Sequence, residues 1–277
     1  MLNVALFVFS LGVGGEYPMA STTASERSAQ EHVPRGRTVT FVFAHQGWGT
    51  VAFCIVLTFF LAATKTGSCS SSALNHTAPG SLLTSSSPCD PVGLEITWRM
   101  SYAFGVLALV PLFLYRWCFL QESELWKQRR AKYDSMGADL EREQRKGNFK
   151  LLFSRAYFPR LFGAAASWFV WDVAFYGNKL FQGTLVLSII GSNASLLQTL
   201  QFTLLNSVVA LLGYYAAAFS IDKTWMGRVR MQLMGFAVSC ALFLTCAAAY
   251  TSLTQPDGIA AFEFIYLASS FWGQVRM

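Results

Sequence analysis

The chain has 277 residues, of which 53% are hydrophobic and only 13% charged, with a formal net charge of +6 and a mean hydropathy of +0.39. A water-soluble domain usually carries roughly twice that share of charge, so the composition argues against a soluble domain and for a membrane protein. More than half of the lysines and arginines lie between Arg116 and Arg160 or between Lys223 and Arg230, beside apolar runs, so the basic balance reports membrane topology rather than nucleic-acid binding.

Seven segments are long enough to cross the ~30 Å hydrocarbon layer as helices. They run over about 2–24, 41–64, 98–119, 158–188, 197–220, 229–251 and 259–276. The first has no basic residue after Met1 and is interrupted by Glu16-Tyr17-Pro18, so it reads as a span and not as a signal peptide. The first loop holds Arg27, Arg35 and Arg37, whereas the second, about 65–97, holds only Lys65. The second loop is also rich in Ser, Pro and Gly. The third, about 120–157, is crowded with basic residues from Lys127 to Arg155, and a helix lying on the cytoplasmic surface is expected over Glu122 to Lys146. No basic residue separates Lys179 from the following span; the fifth loop holds Lys223, Arg228 and Arg230, and the sixth holds none.

Basic and non-basic loops thus alternate, and the positive-inside rule makes the odd loops cytoplasmic. Two glycosylation acceptor triplets, Asn75-His76-Thr77 and Asn193-Ala194-Ser195, fall in the second and fourth loops, on the opposite side. The expected division is 1–119 with three spans, 120–157 as a cytoplasmic central loop, and 158–277 with four spans. Cys54, Cys118, Cys240 and Cys246 lie in or beside apolar runs and read as small buried hydrophobes. Cys69 and Cys89 lie in the second loop and are able to pair if it faces an oxidising compartment. No spacing suits a metal, and no cofactor motif is found: Gly12-Val13-Gly14-Gly15 follows no strand and lacks the dinucleotide spacing.

Polar groups inside the spans carry the functional signal, because burying an ionisable residue there costs roughly 2.5–3.5 kcal/mol on insertion scales. Trp168, Asp172 and Tyr176 are spaced i, i+4, i+8. On a helix they drift by only ~80° while rising ~12 Å, so one face presents an indole N–H, a carboxyl and a phenol. Glu16 sits between three glycines and Tyr17-Pro18; the glycines are expected to admit a neighbouring helix and Pro18 to loosen the turn before it. The bland alternative for Glu16 is pairing with a helix dipole or a basic residue. Gln46, in Ala44-His45-Gln46-Gly47-Trp48-Gly49, brings an amide that must find partners, while His45 points about 100° away from it. Glu263 and Lys179 lie where each can snorkel to an interface.

At these residues the chain resembles the phosphate:proton symporter family of the major facilitator superfamily. Gly14-Gly15-Glu16-Tyr17-Pro18 with Ser21 and Glu26 resembles the signature of that family's fourth helix, with Glu16 where an aspartate is usual. Phe43 to Gly49 resembles the glutamine motif of the fifth, and Trp168 to Tyr176 with Phe181-Gln182 the seventh. Asp222-Lys223-Thr224-Trp225-Met226-Gly227-Arg228, followed by Gln232 to Phe236, resembles the loop into the ninth helix and its start. The resemblance implies an all-α, polytopic membrane helix bundle of the major facilitator fold, truncated to about seven spans that correspond to helices four to ten of twelve. It also implies a secondary transporter, not an enzyme, that moves inorganic phosphate with protons. Tyr17, Gln46, Trp168, Asp172 and Tyr176 would line the substrate site, Glu16 and Asp172 would couple protons, and no cofactor would be needed. The partners implied are phosphate, protons and the lipid bilayer, with the plasma membrane as the expected location. A carrier of glycerophosphodiesters or other solutes, and a non-transporting product, remain open at this point. An intramembrane enzyme has no support, since no Ser/His or paired-Asp arrangement lies within the spans.

Overall fold

Inside hydrocarbon every backbone N–H and C=O must be satisfied within its own segment, so apolar runs of this length are driven to be helices. In a computed structural model, described here for residues 2–69, 90–136, 138–191 and 193–275, each of the seven runs is helical. The described residues form α1 (Leu2–Gln30), α2 (Arg35–Ala63), α3 (Pro91–Phe119), α4 (Glu124–Met136), α5 (Ala138–Leu152), α6 (Phe158–Leu180), α7 (Gln182–Ile190), α8 (Leu196–Ser220), α9 (Arg228–Ala248), α10 (Tyr250–Leu253) and α11 (Ile259–Val275). The protein is all-α and integral to the membrane.

Several details refine the seven expected spans. Among the described residues, five helices (α1, α2, α3, α8 and α9) are each long and apolar enough to cross a membrane alone. The run over 158–188 is divided at Phe181 into α6 and α7, which qualify only as a pair. The last run, α11, has 17 residues. Pro18 does not break α1, which continues to Gln30 with Pro18 inside it. The helix expected over Glu122 to Lys146 corresponds to α4 and α5, on either side of Gly137, which lies outside the described residues.

Two compact units result: Met1–Cys118 with Gly183–Met277, and Phe119–Gln182. In the first unit α8 is the central element: it packs against α2 on one side and α11 on the other, while α9 packs on α11 and α1 on α2. The buried stripes are built from small residues. On α2 the buried positions are Gly36, Thr40, Ala44, Gly47, Val51, Cys54 and Leu61, recurring mostly every three or four residues. On α3 only Gly93, Thr97 and Ser101 are buried, whereas Leu107, Phe113 and Trp117 are 69%, 62% and 79% exposed. That helix is polar and small where it packs, and apolar where it is exposed. The inversion suits hydrocarbon as solvent, where small side chains let backbones approach and large apolar ones need no protein partner. Thr97 Oγ1 lies 3.0 Å from Thr64 Oγ1, which lies 2.7 Å from Thr66 Oγ1, so hydroxyls tie α3 to the turn after α2.

That turn also starts α8. The N–H groups of Leu196 and Leu197 donate to the carbonyls of Cys69 (2.8 Å) and Gly67 (3.0 Å), and Ser195 and Gln198 form a reciprocal capping box. Cys69 is disulfide-bonded, and Cys89 and Asn75 lie outside the described residues. Cys54 is buried beside Leu61 and Leu200, as expected of a small hydrophobe, whereas Cys118 and Cys240 are exposed thiols.

At the other end of α2, Pro34 occupies the N-cap and has no side chain able to cap. Asp222, 185 residues away, takes over: its Oδ2 accepts from Arg37 N–H at 2.6 Å, and its other oxygen lies 3.6 Å from Arg228 Nη2. A Cβ on Gly36 would stand 2.5 Å from Asp222 Oδ1, so a larger residue there would push the capping carboxylate aside. Losing a cap of this kind costs about 1 kcal/mol. Asp222→Ala should therefore lower the melting temperature in detergent, and Asp222→Asn should lower it less, as read by intrinsic fluorescence.

Candidate functional site

The polar residues of the first unit gather on α1, α2 and α8. Glu16 lies midway along α1, and both of its oxygens are taken by Arg116 near the end of α3: Nη2 to Oε1 at 2.6 Å and Nη1 to Oε2 at 2.9 Å. This two-pronged geometry is the strong form of an arginine–carboxylate contact. The alternative raised from sequence, pairing with a basic residue, is thus what the structure contains. Gly12, Gly14 and Gly15, by contrast, have no close neighbour among the described residues, where a Cβ on any of them would meet nothing within 4 Å. Arg116 is hard to find from sequence because, at the end of an apolar run, it counts as a flanking charge.

One residue on, the Tyr17 ring stacks on Phe43 of α2, with centroids 6.1 Å apart. Nearly one turn further along α2, Gln46 is half-buried and its Oε1 accepts a long hydrogen bond of 3.4 Å from Tyr214 Oη. Tyr214, only 2% exposed, also touches the α2 backbone across Gly47: a Cβ there would stand 2.9 Å from Leu211 Cδ1 and 3.1 Å from the Tyr214 ring. Gly47 thus supplies a close approach between α2 and α8. Trp48 Nε1 donates to Tyr215 Oη at 2.8 Å. Tyr214 and Tyr215 are not among the sequence candidates; their signal is a pair of adjacent phenols within an apolar span. His45 lies apart from this group, exposed, with Nδ1 2.9 Å from Phe41 O.

In the second unit, α6 runs unbroken from Phe158 to Leu180, so Trp168, Asp172 and Tyr176 share one face as the spacing predicts. Trp168 and Tyr176 are 48% and 51% exposed, and Asp172 between them is half-buried. Asp172 makes no ion pair among the described residues. The carboxyl thus stands between an indole N–H and a phenol O–H, both hydrogen-bond donors. Lys179, one turn beyond Tyr176, places Nζ 5.9 Å from the Phe175 ring centroid. Asn193 is exposed in the turn before α8.

Among the described residues no group of His, Cys, Asp and Glu could hold a metal ion. No protein-family model matches the chain. Curated proteins do match: the probable inorganic phosphate transporter 1-12 of Oryza sativa subsp. japonica is 26% identical over 295 residues, covering 96% of this chain. The chain is similar along almost its whole length to inorganic phosphate transporters. Low affinity inorganic phosphate transporter 1 of Petunia hybrida is 28% identical over 306 residues (98% of the chain), and the probable inorganic phosphate transporter 1-9 of Arabidopsis thaliana is 28% identical over 280 residues (88%). The chain spans about half the length of these relatives, covering 52%, 54% and 50% of them. The resemblance read from the motifs is borne out.

The ion pair makes a prediction of its own. Arg116→Gln leaves the Glu16 carboxylate without its partner in an apolar layer, which is far more damaging than removing both charges. The single variant should give several-fold less folded protein by size-exclusion chromatography, and Glu16→Gln added to Arg116→Gln should recover it.

Proposed function

We propose that the protein acts as a secondary carrier that moves inorganic phosphate inward together with protons. The observation that carries this reading is the likeness, over 96–98% of the chain, to proteins named inorganic phosphate transporters. The side chains support it. Tyr17, Gln46, Trp168 and Tyr176 are neutral donors suited to an anion that must be bound and then let go. Asp172 donates to phosphate when protonated and repels it when charged, which links proton loss to release. Glu16 serves as a second proton carrier only when its pair with Arg116 opens. The basic central loop is assigned to the cytoplasm of a plasma-membrane protein, with 1–119 and 158–277 contributing to two helical bundles. The disulfide at Cys69 supports an outward-facing second loop, since disulfides persist in oxidising compartments; Asn75 and Asn193 are the proposed glycan acceptors on that side.

Competition of labelled phosphate uptake tests the substrate. Excess unlabelled phosphate should abolish uptake and glycerophosphodiesters should not; equal competition by the diesters would move the substrate class to organic phosphates. Trp168→Ala removes one donor to a charged ligand, so the half-saturating phosphate concentration should rise by about tenfold. An unchanged value would take Trp168 out of the substrate site.

A further inference from the structure

We propose that the protein carries a second oxyanion site, separate from the residues above: a pocket of about 470 Å³ between α1, α2 and α9, suited to a protonated phosphoryl group. Arg35, Arg228, Gln232, Thr22, Ser25 and Thr40 line it, and among the described residues no carboxylate does. In a chain with 13% charged residues, two arginines and a glutamine lining one concave space is a concentration of donors. Arg228 is only loosely engaged, 3.6 Å from Asp222, and Arg35 has no ion pair among the described residues. Two positive groups therefore face one negative group, and the guanidinium fork matches the spacing of phosphoryl oxygens.

The hydroxyls narrow the ligand. Thr40 Oγ1 donates to Gly36 O at 2.9 Å, so it offers the pocket only lone pairs. Such an acceptor suits a P–OH and disfavours sulfate, which has no proton to give near neutral pH. The same chemistry is supplied by inorganic phosphate or by the monoester headgroup of phosphatidic acid. Phe43, which stacks on Tyr17, also lines the pocket, and Ser21 stands one turn beyond Tyr17, so the pocket adjoins the proposed transport residues at the end of α2 held by Asp222. The assignment does not depend on transport.

The thiol introduced by Thr22→Cys reports occupancy through its rate of alkylation by N-ethylmaleimide, read by mass spectrometry of that peptide; Ser25→Cys is the second reporter if the first does not fold. In detergent, inorganic phosphate should slow labelling and sulfate at equal ionic strength should not. Arg35→Gln should raise the half-protecting phosphate concentration by about tenfold. In phosphate-free nanodiscs, slowing by phosphatidic acid relative to phosphatidylcholine assigns the pocket to the lipid headgroup. Absence of slowing in both arms, equal slowing by sulfate, or protection unchanged by Arg35→Gln would overturn the proposal.

Discussion

Asp172→Asn should reduce proton-driven phosphate uptake to background while leaving the protein folded. Asparagine keeps the shape and hydrogen-bonding reach of the side chain but cannot bind or release a proton in this range. Asp172 is the proton carrier of the proposed mechanism. It is half-buried on α6, one turn from Trp168 and one from Tyr176, and without an ion pair among the described residues. Glu16, the other intramembrane acid proposed for coupling, is held at both oxygens by Arg116. In the proposed mechanism the weight of coupling therefore falls on Asp172. Uptake into proteoliposomes, alongside a size-exclusion profile, checks the prediction; undiminished uptake would remove Asp172 from the mechanism.

Gly213→Val should be the most destabilising single substitution in the central packing. A Cβ at Gly213 would lie inside contact distance of the Phe271 carbonyl oxygen and 3.2 Å from Gln274 Cβ, so α8 and α11 touch there backbone to backbone. A backbone carbonyl cannot swing aside as a side-chain tip can. Overpacking of this kind costs about 1–3 kcal/mol, and the rigid obstacle puts this site at the upper end. Gly49 supplies a contrast, since a Cβ there would meet nothing within 4 Å. Gly49→Ala should hold or raise stability by up to about 1 kcal/mol through helix propensity. Melting temperatures of both variants in one detergent decide the matter: a fall for Gly213→Val with none for Gly49→Ala is expected.

The contrast between these glycines shows what hydropathy can reveal. All seven apolar runs are helices, and the Trp168–Asp172–Tyr176 face follows from a spacing of four residues. Which faces meet was less legible. In water an apolar stripe marks the buried side of a helix, but in lipid both sides are apolar, and packing follows small residues and hydroxyls instead. Gly12, Gly14 and Gly15 thus carry the same signal as Gly47, yet only Gly47 is covered by a neighbour, Tyr214 and Leu211. The end of α6 at Leu180 has no proline to announce it, and the Arg116–Glu16 pair joins residues 100 positions apart that topology rules count separately. Asp222 belongs to a motif that speaks from sequence only through resemblance; its work, holding Arg37 N–H at the start of α2, is visible only once the chain is folded.

Proton-coupled phosphate movement is the central claim, and a single flux measurement tests it. Purified protein in proteoliposomes, given labelled phosphate outside and a pH gradient acid outside, should accumulate phosphate above its external concentration and lose that accumulation when a protonophore collapses the gradient. Accumulation that survives the protonophore, or no phosphate entry under either condition, would contradict it.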